Sequence, residues 1–234
     1  TTSQRTIPRD AVYAFDASQN TYAKLAPIPV AIDDAVALPY RDRYIYLVSG
    51  FHRDAGVNLV QVFDSHKNQW QQASPFPGRP VFGHAGGIVD NQMLICDGVT
   101  TIPSMLDRPK FELKAACYLG EIDVTNPLNI RWYAWVHPTD KPRFRMAAAG
   151  STVTGKIHFI GGSYQAHHFN GQSYTGRAAT PSKEIWTYDV DARNWSVTES
   201  NSATGDHRGL LKIGDHWVTL GGMSQHEQEN GQSI

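Results

Sequence analysis

A recurring marker limits what this chain can fold into more than any other feature. An aromatic–Asp pair is followed by a large ring: Phe15-Asp16 then Tyr22, Phe63-Asp64 then Trp70, Tyr188-Asp189 then Trp195. In a looser copy, Ile122-Asp123 precedes Trp132 after a three-residue insertion. A second marker is an alternating apolar stretch that ends in glycine: YIYLVSG to Gly50, MLICDG to Gly98, KIHFIGG to Gly162 and HWVTLGG to Gly222. The rings step along the chain by 48, 62 and 63 residues, and the glycines by 48, 64 and 60. Two independent series that advance together mark one repeated structural unit.

Each unit reads as four antiparallel strands. A small-residue strand comes first (DDAVALPY, GHAGGIVD, RMAAAGSTV, DHRGLLKI), then a short turn, then the strand that ends in glycine. After a variable loop a third strand carries the aromatic–Asp pair, and a polar turn leads to the Trp and a fourth strand. A single sheet of this kind cannot bury both faces, so neighbouring units must stack. Small side chains suit a crowded inner strand, glycine permits close backbone approach, and Trp fills the space between sheets. The Asp is placed to bond local amides at its turn. Phe63, Asp64 and Trp70 are therefore expected to be scaffold.

The phased motifs resemble the Kelch repeat, whose four-stranded units build β-propellers. The resemblance spans nearly the whole chain. It departs at Cys96-Asp97-Gly98, where CDG replaces a glycine pair, and after Gly222, where no aromatic–Asp follows. The fold expected is all-β: a single Kelch-type β-propeller domain over 1–234 with four blade-equivalents of four antiparallel strands. The blades are expected at about 34–79, 83–138 and 145–200, with 206–234 completed by 10–30 if the ring closes through its termini. The alternative is part of a larger ring, and Thr1 in place of Met points that way.

Composition removes several classes. The net charge is −1 and no basic cluster provides a nucleic-acid footprint. No apolar run is long enough to span a bilayer, so neither nucleic acid nor membrane is an expected partner. Cys96 and Cys117 fall in the second and third strands of one blade, as packed thiols or as a cross-strand disulfide; an oxidised pair would indicate an extracytoplasmic compartment.

In Kelch propellers the residues just before the inner strand and just after the glycine pair point to one mouth of the channel. Here the first set includes Asp34, His84, Arg143, Arg145, Asp206, His207 and Arg208. The second includes Phe51, His52, Arg53, Asp97 beside Gly98, and Tyr164. Convergent arginines, histidines, acids and an aromatic plate suit a sugar or an anionic ligand. The long loops at 99–116 and 163–184 are expected to overhang this mouth.

The bacterial propellers that this chain resembles include the N-acetylneuraminate epimerase family, which is periplasmic. That resemblance implies a carbohydrate or sugar-acid ligand and isomerase chemistry in a periplasmic or extracellular setting. Arg145 and Arg208 would hold the carboxylate, and His84, His207 or Asp34 would move protons. His52, Arg53, Asp97, Tyr164 and Phe51 would complete the ligand contacts. Two other readings remain: a non-catalytic propeller that binds an acidic peptide, and a uronate polysaccharide lyase. No cofactor is expected and no metal site is assigned. The ligand set of galactose oxidase, which shares the fold, cannot be assigned here.

Overall fold

In the computed structural model, the structure describes residues 9–102, 110–168, 170–206 and 209–224. Every regular element among them is a β-strand. Blade one pairs Val36–Tyr40, Tyr44–Val48, Val60–Asp64 and Gln69–Gln72 in that order, from the inside outwards. Blade two pairs Ala85–Val89, Gln92–Cys96, Cys117–Ile122 and Ile130–Trp135 in the same order. Blade three pairs Ala147–Ser151, Lys156–Ile160, Ser182–Asp189 and Asn194–Gly205, and adds Met223–Ser224 beyond its outer strand. The chain is a Kelch-type propeller in architecture, with successive blades packed face to face.

The run MLIC in the second strand of blade two shows how a sheet buried on both sides is encoded. Met93 and Ile95 face blade one, in a core with Val36, Val48, Val60 and Val62. Leu94 and Cys96 point the other way, towards Ile157, Phe159, Trp186 and Tyr188 of blade three. Alternation puts neighbours on opposite faces, so a strand with two covered faces must be apolar throughout. Near the axis the inner strands approach closely. A Cβ added at Gly150 would overlap the Ile88 carbonyl oxygen, which explains the small residues there.

The scaffold roles expected of the markers are met. Each Trp indole donates to a carbonyl just beyond the preceding outer strand: Trp70 to Ala26 at 2.9 Å, Trp132 to Ser74 at 3.5 Å, Trp195 to Val136 at 2.8 Å. The ring therefore ties each blade to the segment that enters it, besides filling the interface. Asp16, Asp123 and Asp189 accept amides from their own turns. Asp64 accepts the His66 amide and also a two-pronged bond from Arg43, at 2.9 and 2.7 Å.

Besides the loop hairpins Phe51–His52 with Ala55–Gly56 and Val99–Ile102 with Lys110–Leu113, two further hairpins among the described residues lie outside these blades. Val12–Asp16 pairs with Thr21–Leu25, and Leu211–Ile213 pairs with His216–Val218. Among the described residues each is a two-stranded sheet by itself, so the two hairpins do not share a ladder. Cys96 and Cys117 are directly opposite in register and form a disulfide.

Candidate functional site

The mouth is organised by a backbone position that recurs just ahead of each inner strand. Asp34, Gly83, Arg145 and Asp206 all have left-handed φ, between +53° and +61°. One residue earlier, bridges tie the mouth to the segment after the glycine pair: Asp33 with Phe51, Phe82 with Val99, Phe144 with Ser163, Gly205 with Met223. The left-handed residues are also linked from blade to blade. The Gly83 amide donates to the Asp34 carbonyl at 3.0 Å, and the Arg145 amide donates to the Gly83 carbonyl at 2.7 Å.

This arc fixes which side chains meet. Gly83 contributes none, because a Cβ there would overlap the Phe144 ring. Arg145 reaches across the gap. Its Nε and Nη2 donate to Asp34 Oδ2 at 3.2 and 2.7 Å, and its Nη1 donates to Asp206 Oδ1 at 2.9 Å. The guanidinium lies 4.7 Å from the centre of the Phe144 ring. The side chains of Arg145, Asp34 and Asp206 are 11%, 6% and 18% exposed, so their mutual pairing is only weakly screened. With His84 and Met146, Asp34 and Arg145 line a cavity of about 150 Å³.

His84 is buried, and its Nε2 lies 2.8 Å from the Val48 carbonyl oxygen. A carbonyl can only accept, so the proton is on Nε2. Burial depresses the imidazole to about 4, which leaves it neutral at pH 7.

The remaining expected site residues divide. Phe51 is not an open plate. Its ring packs edge-on against Phe82 at 5.1 Å, within an aromatic cluster that continues to Phe111 and Phe144. The two long loops do meet, through Phe111 and Tyr174 at 4.5 Å. Tyr164 uses its hydroxyl on Ser182 and Glu184, at 3.0 and 3.1 Å. His52 is bonded to the Ala31 carbonyl and, with Arg53, lines a different cavity beside residues 28–31. His207 and Arg208 lie outside the described residues.

Asp97 is a structural anchor. It is buried, and accepts the His137 Nε2–H at 2.8 Å and the Arg143 amide at 2.8 Å. His137 Nδ1 accepts the amides of Thr139 and Asp140, so this ring is the neutral Nε2–H tautomer. Burial pushes the Asp97 carboxyl up, against the opposing pull of His137. Arg143 is wholly buried, 3.8 Å over the Trp186 ring, and donates to the carbonyls of Gly161 and Glu184. Burial lowers its guanidinium to about 10. Arg143 and His137 thus clamp blade two to blade three. Their sequence neighbourhood, VHPTDKPRFR, carries no motif that announces this. Among the described residues no group of three or more His, Cys, Asp or Glu is arranged to hold a metal ion.

No family model matches the chain. It is 22% identical over 213 residues to Kelch-like protein 15 of Mus musculus, covering 91% of this chain and 33% of that protein. It is 25% identical over 198 residues to the human Kelch repeat and BTB domain-containing protein 2, covering 84% of this chain and 27% of that one. The chain therefore spans about a third of the length of the curated relatives it matches. Among solved structures, YjhT superposes with a TM-score of 0.71 at 14% identity, over 96% of this chain and 70% of that one.

Proposed function

From the premise that the chain is a Kelch-type β-propeller, we propose that it is a binding module for a small neutral polyhydroxy ligand of the carbohydrate class, held where Asp34, Arg145 and Asp206 meet. The observation that carries this reading is the position of Arg145 between two carboxylates. A sugar acid needs an arginine with donors to spare for its own carboxylate. Here three of the five N–H groups are already bound to carboxylates, and one cation between two carboxylates leaves a net charge of −1, which opposes a further carboxylate. Carboxylates and a fixed guanidinium suit hydroxyls, which both donate and accept. The cavity is below the ordinary range of about 300–1,000 Å³ for small-molecule sites, which favours a ligand no larger than one sugar ring.

Isomerase chemistry has less support. A base for ring opening works best with a pKa near the working pH, and His84 at about 4 is too weak. The disulfide supports an oxidising compartment, periplasmic or extracellular.

Thermal shift with a panel of monosaccharides tests the proposal. Neutral sugars should raise the melting temperature, and Asp34→Asn should remove the effect. N-acetylneuraminate should give no shift and its anomeric exchange, followed by NMR, should not accelerate. Stabilisation by the sugar acid alone, or faster exchange, would replace the binding module with an isomerase.

A further inference from the structure

A further cavity, of about 310 Å³, opens between blades one and two and shares no lining residue with the one at Arg145. Its walls come from three segments. Phe76, Arg79 and Val81 belong to the link that joins the two blades, Asp97 and Thr100 to the segment after Cys96, and Lys114 and Tyr118 to the return into the third strand of blade two. We propose that this cavity binds a phenolic carboxylic acid, with one aromatic ring inside, the ring hydroxyl on Thr100 and the carboxylate on Arg79.

The lining grades from buried to exposed. Phe76 and Val81 belong to the core between blades one and two, and Tyr118 packs against it with its ring edge-on to Phe76 at 5.0 Å. Thr100 is 3% exposed. Among the described residues its hydroxyl makes no hydrogen bond, yet it is not sealed from solvent, so the surface it keeps faces the cavity. Its neighbour Val99 turns the other way, into the aromatic cluster of Phe82 and Phe144. Asp97 is committed to the fold, with one oxygen on His137 and the other on the Arg143 amide. Arg79 stands exposed at the rim, and among the described residues no partner holds its side chain. Pro77 and Pro80 bracket it. A proline fixes its own φ and restricts the residue before it, so this cation is carried on a stiff turn. Lys114, also in the lining, is already paired with Glu112 at 2.7 Å.

Three features define the ligand: an aromatic-walled chamber, a hydroxyl in its depth and an uncommitted guanidinium at its edge. The volume is at the lower end of the range of about 300–1,000 Å³ for small-molecule sites, which suits one substituted ring. Phe76 and Tyr118 offer ring contacts to it. A phenolic hydroxyl donates and accepts, as the Thr100 hydroxyl does, and gives that group the partner it lacks. A guanidinium matches a planar carboxylate, which it can hold by two parallel bonds. A purely apolar molecule would leave both Thr100 and Arg79 unused.

Titration of the intact chain followed by two-dimensional NMR tests this. The probes are 3-(4-hydroxyphenyl)propanoate, 3-phenylpropanoate and 3-(4-hydroxyphenyl)propanamide. The first should shift the amides of residues 78–79 and 114–118 and leave those of 83–86 and 145–148 in place. The propanamide should bind about tenfold more weakly, the scale of a hydrogen bond to a charged group, and the acid without the ring hydroxyl about fivefold more weakly. Arg79→Gln should erase the preference for acid over amide, and Thr100→Val the preference for phenol over phenyl. Both variants should keep the wild-type melting temperature, because neither side chain bonds to another described residue. No shift at 78–79 and 114–118, equal binding of acid and amide, or an unchanged preference in Arg79→Gln would each overturn the proposal. So would equal binding of the two acids, or a melting temperature for Thr100→Val that falls by several degrees, since the fold would then already use that hydroxyl.

Discussion

Removing the Cys96–Cys117 bridge gives the most quantitative test of how blade two is held. The two residues are 21 apart in sequence, and the segment between them leaves the sheet to form the hairpin Val99–Ile102 with Lys110–Leu113. Cross-linking a loop of that length removes about 11 cal/mol/K of chain entropy from the unfolded state, or about 3 kcal/mol at 25 °C. Cys96→Ala with Cys117→Ala should cost that much. Part of the loss falls on local order, because Asp97 follows Cys96 directly and anchors His137 and the Arg143 amide. Urea unfolding followed by tryptophan fluorescence measures it. With a slope near ~3 kcal/mol/M for a chain of this size, the midpoint should fall by about 1 M. Reducing agent added to the folded protein should do little, because both cysteines are buried. The same agent added to the unfolded protein should reproduce the variant's midpoint. A loss below about 1 kcal/mol would refute the claim that this loop is costly to close.

Two further perturbations probe the scaffold and the mouth. Arg43 holds the Asp64 carboxyl down to about 2, from an ordinary value of 3.8. The folded form is the weaker acceptor of protons, so this pair's stabilisation is complete above about pH 4 and is lost as pH falls towards 2. Asp64→Asn should flatten the unfolding midpoint across that window, and an unchanged acid slope in the variant would remove the pair from the account. Gly83→Ala should destabilise by about 2–4 kcal/mol, because φ is +61° and the new methyl would overlap the Phe144 ring. Calorimetry that gave a wild-type melting temperature for this variant would show that the arc of left-handed residues is not a fixed frame.

The architecture was legible because its determinants are local and repeated. Trp70, Trp132 and Trp195 each meet the same kind of partner, the carbonyl just past the previous outer strand. One physical role repeated at a steady interval leaves a period in the sequence. The site has no such period. Asp34, Gly83, Arg145 and Asp206 share a backbone conformation, yet the side chain is not constant from blade to blade. What Arg145 does follows from which residues stand at the same phase one blade ahead and two blades behind. An acid at both places turns an expected anion anchor into a bridge. Asp97 reads as a mouth residue for a related reason: its glycine-flanked position matches mouth residues elsewhere. Its partners, His137 and the Arg143 amide, come from the link between blades and bury it. Function in this fold is set by combinations of side chains across blades, so a marker that is read within a single blade locates the mouth and leaves its chemistry open.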